Sequence, residues 1–372
     1  MGTSATVDGR APIHLFASSK AWIEGDATRQ LQQVAALAGV EAVAAMPDLH
    51  PGKFGPVGCA ILADRIYPQL IGSDVGCGMG LYRLDVEARK LRLERLAERL
   101  GRLDEPTDLA AHEAIAAAGL PASAFDAALG SIGGGNHFCE IQAIEDIAEP
   151  MLAAASGLAR GQAFVLVHSG SRGLGSSILE QVLRAQAASP ALDRESDAGR
   201  AYLAAHDHAV AWARLNRQII AERAALAAQA DIALVADLPH NMLEITSING
   251  TQRALHRKGA AASDRGLVPI PGSRGTLSYL VAPLVDAPVA ALRSLAHGAG
   301  RKYDRASMHG RVRSRKSDLA ELKRNPFGAS SCARTATFSS RRRPLPTRAS
   351  SGSSRIWSHS SSCVSWRLSV RS

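Results

Sequence analysis

Asp74 and Cys77 stand three positions apart inside the glycine-rich stretch IGSDVGCGMG. A carboxylate and a thiol so placed are two candidate metal ligands on a loop whose glycines let the backbone turn sharply. Four more segments set a polar, metal-capable residue at a turn: MPDLHPG (Asp48, His50), GGGNHFCE (Asn136, His137, Glu140), VHSGSRG (His168, Arg172) and LPHN (His240, Asn241). Asp74 and Cys77 are too close in sequence to close a site alone. Histidines from distant segments must supply the other ligands, with Cys77 acting as a thiolate. A second group, HRKGA, PIPGSRGTLSY and AHGAGRK, suits a triphosphate. Ser273 and Ser278 flank glycines whose amides can cradle an anion, and Arg257, Lys258, Arg274 and Arg301 are cationic partners. His297, between Ala296 and Gly298, is sterically accessible. A neutral imidazole nitrogen is a competent nucleophile toward phosphorus when cations neutralise the phosphate oxygens.

Other residues of the same types read as structural. Cys59 and Cys139 follow apolar or aromatic neighbours and suit a core. His206 and His208, two apart in a helical region, point to different faces and are no ligand pair. His14, His112, His309 and His359 have no chemical company. There is no GxxxxGK[ST] and no GxGxxG after a strand, so a bound nucleotide is held in another way.

Each reactive loop needs an element behind it. The runs FVLVHSGS and DIALVADLPHN are short and β-branched and end in a polar residue and a turn, which puts the chemistry at strand ends. DATRQLQQVAALAG predicts an amphipathic helix with Asp26 as N-cap and Gly39 as its stop, and KLRLERLAERLG predicts another. AYLAAHDHAVAWARLNRQIIAERAALAAQ is a long alanine-rich helical region. No repeat or linker interrupts the chain before about residue 325, so one mixed α/β domain is expected.

With 372 residues, 46% of them apolar, the chain can bury a sizeable core. It has no run of about 18 apolar residues and no secretory h-region, which points to a cytoplasmic protein away from membranes. Five cysteines at irregular spacing make no disulfide framework. The net charge of +9 is misleading, because residues 329–372 hold eight arginines and no lysine or acid, leaving 35 basic against 34 acidic groups elsewhere. That segment carries 15 serines in 44 residues and no sustained period, so no core is expected from it. It reads as a disordered basic tail or, preferably, as an out-of-frame translation beginning near codon 328.

The ordered set MPDLHPG, GSDVGCG, GGGNHFCEIQ, VHSGSRGLG, PHN, HRKGA, PGSRGTLSY and HGAGR closely resembles the RtcB family of RNA ligases across roughly residues 45–305. The length is similar to that of a bacterial subgroup whose genes neighbour a release-factor-like protein. The resemblance implies an RtcB-like α/β (mixed α+β) fold, with central mixed β-sheets flanked by helices. It also implies two Mn²⁺ ions bridged by Cys77, one completed by His137 and His168, the other by Asp74 and His240. His297 would attack the α-phosphate of GTP and carry the guanylate. Asn136, Phe138, Glu140, Ser273 and Ser278 would hold that nucleotide, and Asp48 and Arg301 would lie near it. The implied reaction joins an RNA 3′-phosphate or 2′,3′-cyclic phosphate end to a 5′-hydroxyl end, in tRNA splicing or RNA repair. Family members end in an acidic run, a tyrosine and a final lysine, which residues from 329 onward lack. Two rivals remain: a metal-dependent phosphoesterase with water as nucleophile, and an RNA-binding pseudoenzyme.

Overall fold

The computed structural model describes residues 3–5, 10–18, 21–100, 103, 111–185, 191–272, 276–284, 286–300 and, as a strand, 366–370. The first part of the chain runs β1 (Thr3–Ala5), β2 (Ile13–Leu15), α1 (Gly25–Ala35), β3 (Val40–His50), β4 (Val57–Ala63), β5 (Gly78–Glu87), α2 (Leu93–Leu100) and α3 (Ala111–Ala117). Next come β6 (Phe138–Ile147), α4 (Pro150–Ala155), β7 (Gln162–Ser169), α5 (Gly173–Ala185), α6 (Asp197–Ala228), β8 (Ile232–Pro239), β9 (Asn241–Ile248) and β10 (Thr251–Lys258). The remaining strands are β11 (Ala260–Ala262), β12 (Val268–Ile270), β13 (Ser278–Val281), β14 (Ser294–Ala296) and β15 (Trp366–Val370). The fold is mixed α/β, as the sequence implied.

Two large sheets carry the strands. One, in the order β1-β2-β3-β4-β10-β9, is mixed, since β2 and β3 run parallel and the other pairs antiparallel. The other is antiparallel, in the order β12-β13-β15-β6-β7-β5-β8. A small β11-β14 pair lies beside them. The serine-rich tail thus contributes β15, whose backbone pairs with β6 and β13, while the rest of that segment lies outside the described residues.

The helix α6 spans 32 residues and packs on β5, β7 and β8. Its buried stripe of Tyr202, His206, Ala209, Ala213, Arg217, Ile220 and Ala224 repeats every three or four positions, the period of one helix face. Ser196 caps it, its hydroxyl accepting the Gly199 N–H at 3.0 Å. At α1 the expectation is corrected: the N-cap is Glu24, without a side-chain cap bond, and Asp26 sits inside the first turn. An acid there still complements the helix dipole, which is why the sequence signal shifted by two positions without losing the helix. The helix ends at Ala35, and Gly39 (φ +75°) turns the chain beyond it.

His256 on β10 is fully buried, with Nε2 accepting the Tyr67 N–H at 2.9 Å and Nδ1 lying 3.3 Å from the Ile61 carbonyl. Burial pushes this imidazole down to about 4. Below an ordinary histidine value of about 6.5 the unfolded chain takes up a proton that the folded chain refuses. The contribution is therefore complete above about pH 6.5 and lost as the pH falls toward 4, amounting to about 3 kcal/mol at most. Urea titrations at pH 7 and pH 5 should show a steeper stability loss for the wild type than for His256→Gln; equal slopes would remove His256 from the account.

Candidate metal and nucleotide site

Four of the five proposed metal ligands meet because of strand order. In the antiparallel run β6-β7-β5-β8, the starts of β6 and β5 share one sheet edge with the ends of β7 and β8. His137 immediately precedes β6, His168 lies at the end of β7, Cys77 immediately precedes β5, and His240 immediately follows β8. The register makes them neighbours, since Phe138 pairs with His168, and Gly78 pairs with both Ser169 and Pro239. His240 and Asn241 then cross from one sheet to the other, their N–H groups donating to the Cys77 carbonyl at 2.8 and 3.2 Å. The candidate residues thus sit at strand ends.

Cys77 Sγ is 3.4 Å from His137 Nε2 and 3.2 Å from His168 Nε2, and the three side chains are buried. Donor atoms that each stand about 2.0–2.3 Å from one shared cation are separated by about 3.3–3.7 Å, so this spacing suits a metal. Asp74 Oδ2 is 2.9 Å from His137 Nε2, and His240 Nε2 is 3.3 Å from His168 Nε2, which extends the cluster to all five residues. His168 Nδ1 is held 3.0 Å from the Asn136 carbonyl; an N–H donated there leaves Nε2 free as a ligand. His137 and His240 turn Nε2 toward the cluster, and their Nδ1 atoms, on the other side of each ring, are buried without a hydrogen-bond partner among the described residues.

Burial, then the Asp74 carboxylate, pushes the Cys77 thiol well above its ordinary value. Burial, then the imidazoles of His297 and His168, holds His240 well below its own, so it stays neutral and able to ligate. Burial alone would raise Asp74, but the hydrogen bond and charge of His137, with help from Cys77 and Arg172, bring it below the usual carboxylate range. A thiol, a carboxylate and three imidazoles converging in this way fit divalent cations, and binding would displace the thiol proton.

His297 follows β14 and joins this edge from the other side. Its ring centroid lies 4.7 Å from that of His240. Asp48, buried near the end of β3, brings Oδ2 within 2.7 Å of His297 Nδ1 and accepts the His297 backbone N–H at 3.2 Å. The side-chain approach is a close contact that makes no hydrogen bond, since Nδ1 has no hydrogen-bond partner. Gly259 makes this closeness possible: at φ +62°, a Cβ there would sit 2.9 Å from both His297 Cε1 and Gly58 N.

A family model described as tRNA-splicing ligase RtcB matches residues 30–121 and 121–332, a span containing every residue just described. The chain belongs to the RtcB family. It is 42% identical over 318 residues to RNA-splicing ligase RtcB2 of Escherichia coli, covering 85% of this chain and 83% of that protein. It is 32% identical over 369 residues to RNA-splicing ligase RtcB of Mycobacterium tuberculosis, covering 74% of this chain and 84% of the relative. Against tRNA-splicing ligase RtcB of Archaeoglobus fulgidus the identity is 28% over 399 residues, with 82% of each covered.

In this RtcB chain two of the residues expected at the nucleotide, Glu140 and Ser278, are joined through Gln142. Ala299 N–H donates to the Pro271 carbonyl at 3.1 Å, two residues beyond His297. The next residue, Gly272, donates its N–H to Ser278 Oγ at 3.1 Å, and Gln142 Nε2 lies 3.3 Å from that hydroxyl and 3.2 Å from Glu140 Oε2. Phe138 stands edge-on to the His168 ring, with centroids 5.4 Å apart, and the Asn136 side chain is exposed beside them. Ser273, Arg274 and Arg301 lie outside the described residues.

Two expectations are corrected. Arg257 is no phosphate partner: it is buried, with NH1 2.7 Å from Glu244 Oε2 and Nε donating to Ser294 Oγ at 3.0 Å. Successive residues on a strand point to opposite faces, which separates it from Lys258. Lys258 is buried near the Gly55 carbonyl, its Nζ 3.5 Å away, and burial lowers it to about 8. Asn241 is no ligand either, because its amide bridges loops, Oδ1 accepting the Gly259 N–H at 2.8 Å and Nδ2 donating to the Asp74 carbonyl at 3.3 Å. Gln142 went unassigned in sequence reasoning, although it lies two residues from Glu140, the spacing that puts two strand residues on one face. Arg172 holds φ +57°, unusual for a residue other than glycine, and its guanidinium occupies the space a Cβ on Gly133 would need.

Proposed function

We propose that this chain is an RNA ligase that uses GTP and two Mn²⁺ ions to join an RNA 3′-phosphate end to a 5′-hydroxyl end through a guanylylated His297. A 2′,3′-cyclic phosphate end would first be hydrolysed to the 3′-phosphate. The observation that carries this reading is the His297 imidazole, its Nδ1 2.7 Å from Asp48 Oδ2 and its ring set against a cluster of three histidines, Cys77 and Asp74. Family membership and the names of its relatives as RNA-splicing ligases support the same class of reaction.

The chemistry divides among the residues as follows. With Nδ1 beside the Asp48 carboxylate, His297 would present Nε2 to the α-phosphate of GTP; a P–N bond forms, and the α–β P–O bond breaks to release pyrophosphate. The RNA 3′-phosphate then takes the guanylate from the histidine, making a 3′-diphosphate linkage from which GMP leaves when the 5′-hydroxyl oxygen attacks and loses its proton. Asp74, Cys77, His137, His168 and His240 would hold the cations, which when bound supply positive charge at the phosphate oxygens. Glu140, positioned by Gln142, would accept hydrogen bonds from the guanine edge, with Asn136, Phe138, Ser273, Ser278 and Arg301 around the nucleotide.

The test is incubation with α-³²P-GTP and Mn²⁺ followed by mapping of the labelled residue. A label on His297 is expected; phosphate release from a 3′-phosphate end with no labelled protein would favour a phosphoesterase, and RNA binding with neither would favour a pseudoenzyme. Asp48→Asn should slow labelling on the order of 10³-fold while Mn²⁺ stoichiometry stays unchanged, because the imidazole loses the adjacent anion that would balance the positive charge it gains on attack. An unaltered labelling rate would remove Asp48 from the mechanism.

A further inference from the structure

Beneath the cluster, α6 carries two adjacent polar side chains, Asn216 and Arg217, neither of which has any exposure. Arg217 grips Asp237 with Nε and NH2 at 2.8 and 2.6 Å, and its NH1 donates to the Gly76 carbonyl at 2.7 Å and the Ser169 carbonyl at 2.9 Å. Gly76 precedes Cys77, Ser169 follows His168, and Asp237 lies three residues before His240. Asn216 holds the remaining arm. Its Oδ1 accepts the Gly130 N–H at 2.7 Å, and its Nδ2 lies within 3.3 Å of the Ser131 and Gly170 carbonyls and 3.0 Å from Ser169 Oγ. Ser169 Oγ in turn donates to the Ile132 carbonyl at 2.8 Å, in the loop that leads to Asn136 and His137.

Burying a guanidinium is costly, and a buried ion pair is seldom a net gain in stability over packed apolar groups. Its use here is spatial: one rigid fork ties three ligand-bearing segments to one helix, two by backbone carbonyls and the third by the Asp237 carboxylate. Contact with α6 is close enough that a Cβ on Gly76 would sit 2.8 Å from Ala213 Cβ and 2.9 Å from Val210 Cα. We propose that Asn216 and Arg217 are positioning residues that set the spacing of Cys77, His137, His168 and His240. Because the inference takes this cluster to be a metal site, its test has one arm with metal and one without.

The variants are Arg217→Lys, Arg217→Met and Asn216→Ala, beside Ile220→Ala, which removes a buried apolar side chain from the same helix and no hydrogen bond to these loops. In the metal arm, calorimetry with Mn²⁺ on the full chain should show about 10–100-fold weaker binding for the first three, the range typical of groups that orient metal ligands. Ile220→Ala should lower the melting temperature and leave affinity within about twofold. In the metal-free arm, crystal structures of Arg217→Lys and Asn216→Ala should show the Cys77–His168 and Cys77–His137 separations widened beyond 3.2 and 3.4 Å. Arg217→Lys keeps the charge but cannot span Asp237 and two carbonyls, so it tests geometry even if Arg217→Met fails to fold. Unchanged separations overturn the inference whether or not metal binds. Equal affinity losses in Ile220→Ala and the clamp variants also overturn it, reducing the pair to a stability role. Wild-type protein that binds no divalent cation sinks the metal reading, and the separations still decide the clamp.

Discussion

Replacing His297 by alanine should abolish covalent labelling by α-³²P-GTP, a loss of roughly 10⁴-fold or more, since no residual path exists when the attacking atom is gone. The Cys77 cluster should survive, because His297 is bonded to neither Cys77 nor the ring nitrogens of His137 and His168, touching the group only through its packing on His240. Mn²⁺ stoichiometry in the variant should therefore match the wild type. One further consequence separates nucleotide transfer from joining. RNA already carrying a 3′-diphosphate guanylate cap bypasses the histidine, so the variant should still seal it to a 5′-hydroxyl end. A variant that still accepts the label would place the nucleophile elsewhere and leave the Asp48 contact without a catalytic purpose.

Cys77→Ser should have an equally large effect by a different route. The sulfur lies between two imidazole nitrogens at 3.2 and 3.4 Å, and a hydroxyl in its place ionises far less readily and binds a divalent cation poorly. Groups that merely orient metal ligands are worth about 10–100-fold in affinity, so losing a ligand should cost more than about 100-fold. Labelling and joining should both fall, including on precapped RNA, which distinguishes this variant from His297→Ala. Cys59→Ser is the control. That thiol is also buried, donates to the Pro56 carbonyl at 3.5 Å and is pushed up to about 12 chiefly by burial, but it belongs to the β4 core away from the cluster. The control should keep its metal stoichiometry. Equal metal content in Cys77→Ser and wild type would end the case for the thiolate as a ligand.

Local physics explains what could be read from residue types alone. Glycines with positive φ at Gly72, Gly76, Gly133, Gly135 and Gly259 mark turns that other residues resist, and the polar residues beside them are the ones that converge. The β-branched runs that end in His168 and His240 are strands because such side chains suit a pleated surface, so their last residues had to lie at a sheet edge. The helical face of α6 was equally open, since its apolar residues keep one period through 32 positions.

Chain order alone cannot say which strand ends face each other. The neighbours β6, β7, β5 and β8 are set by long-range pairing, and only their alternation brings residues 77, 137, 168 and 240 to one edge. Arg257 and Lys258 look alike in a list of cations, yet the partner each finds depends on which face of β10 packs on which neighbour. Asn216 and Arg217 carried no local signal, because a polar pair inside a helix is ordinarily solvated. Their meaning arises only when the helix is laid across the sheet and water is excluded, so that every donor must find a carbonyl or carboxylate. Sequence by itself thus determined the candidate residue types, their turns and the family; tertiary structure decided the meeting of those turns and the side chains that hold them in place, because backbone pairing and burial act between residues far apart in the chain.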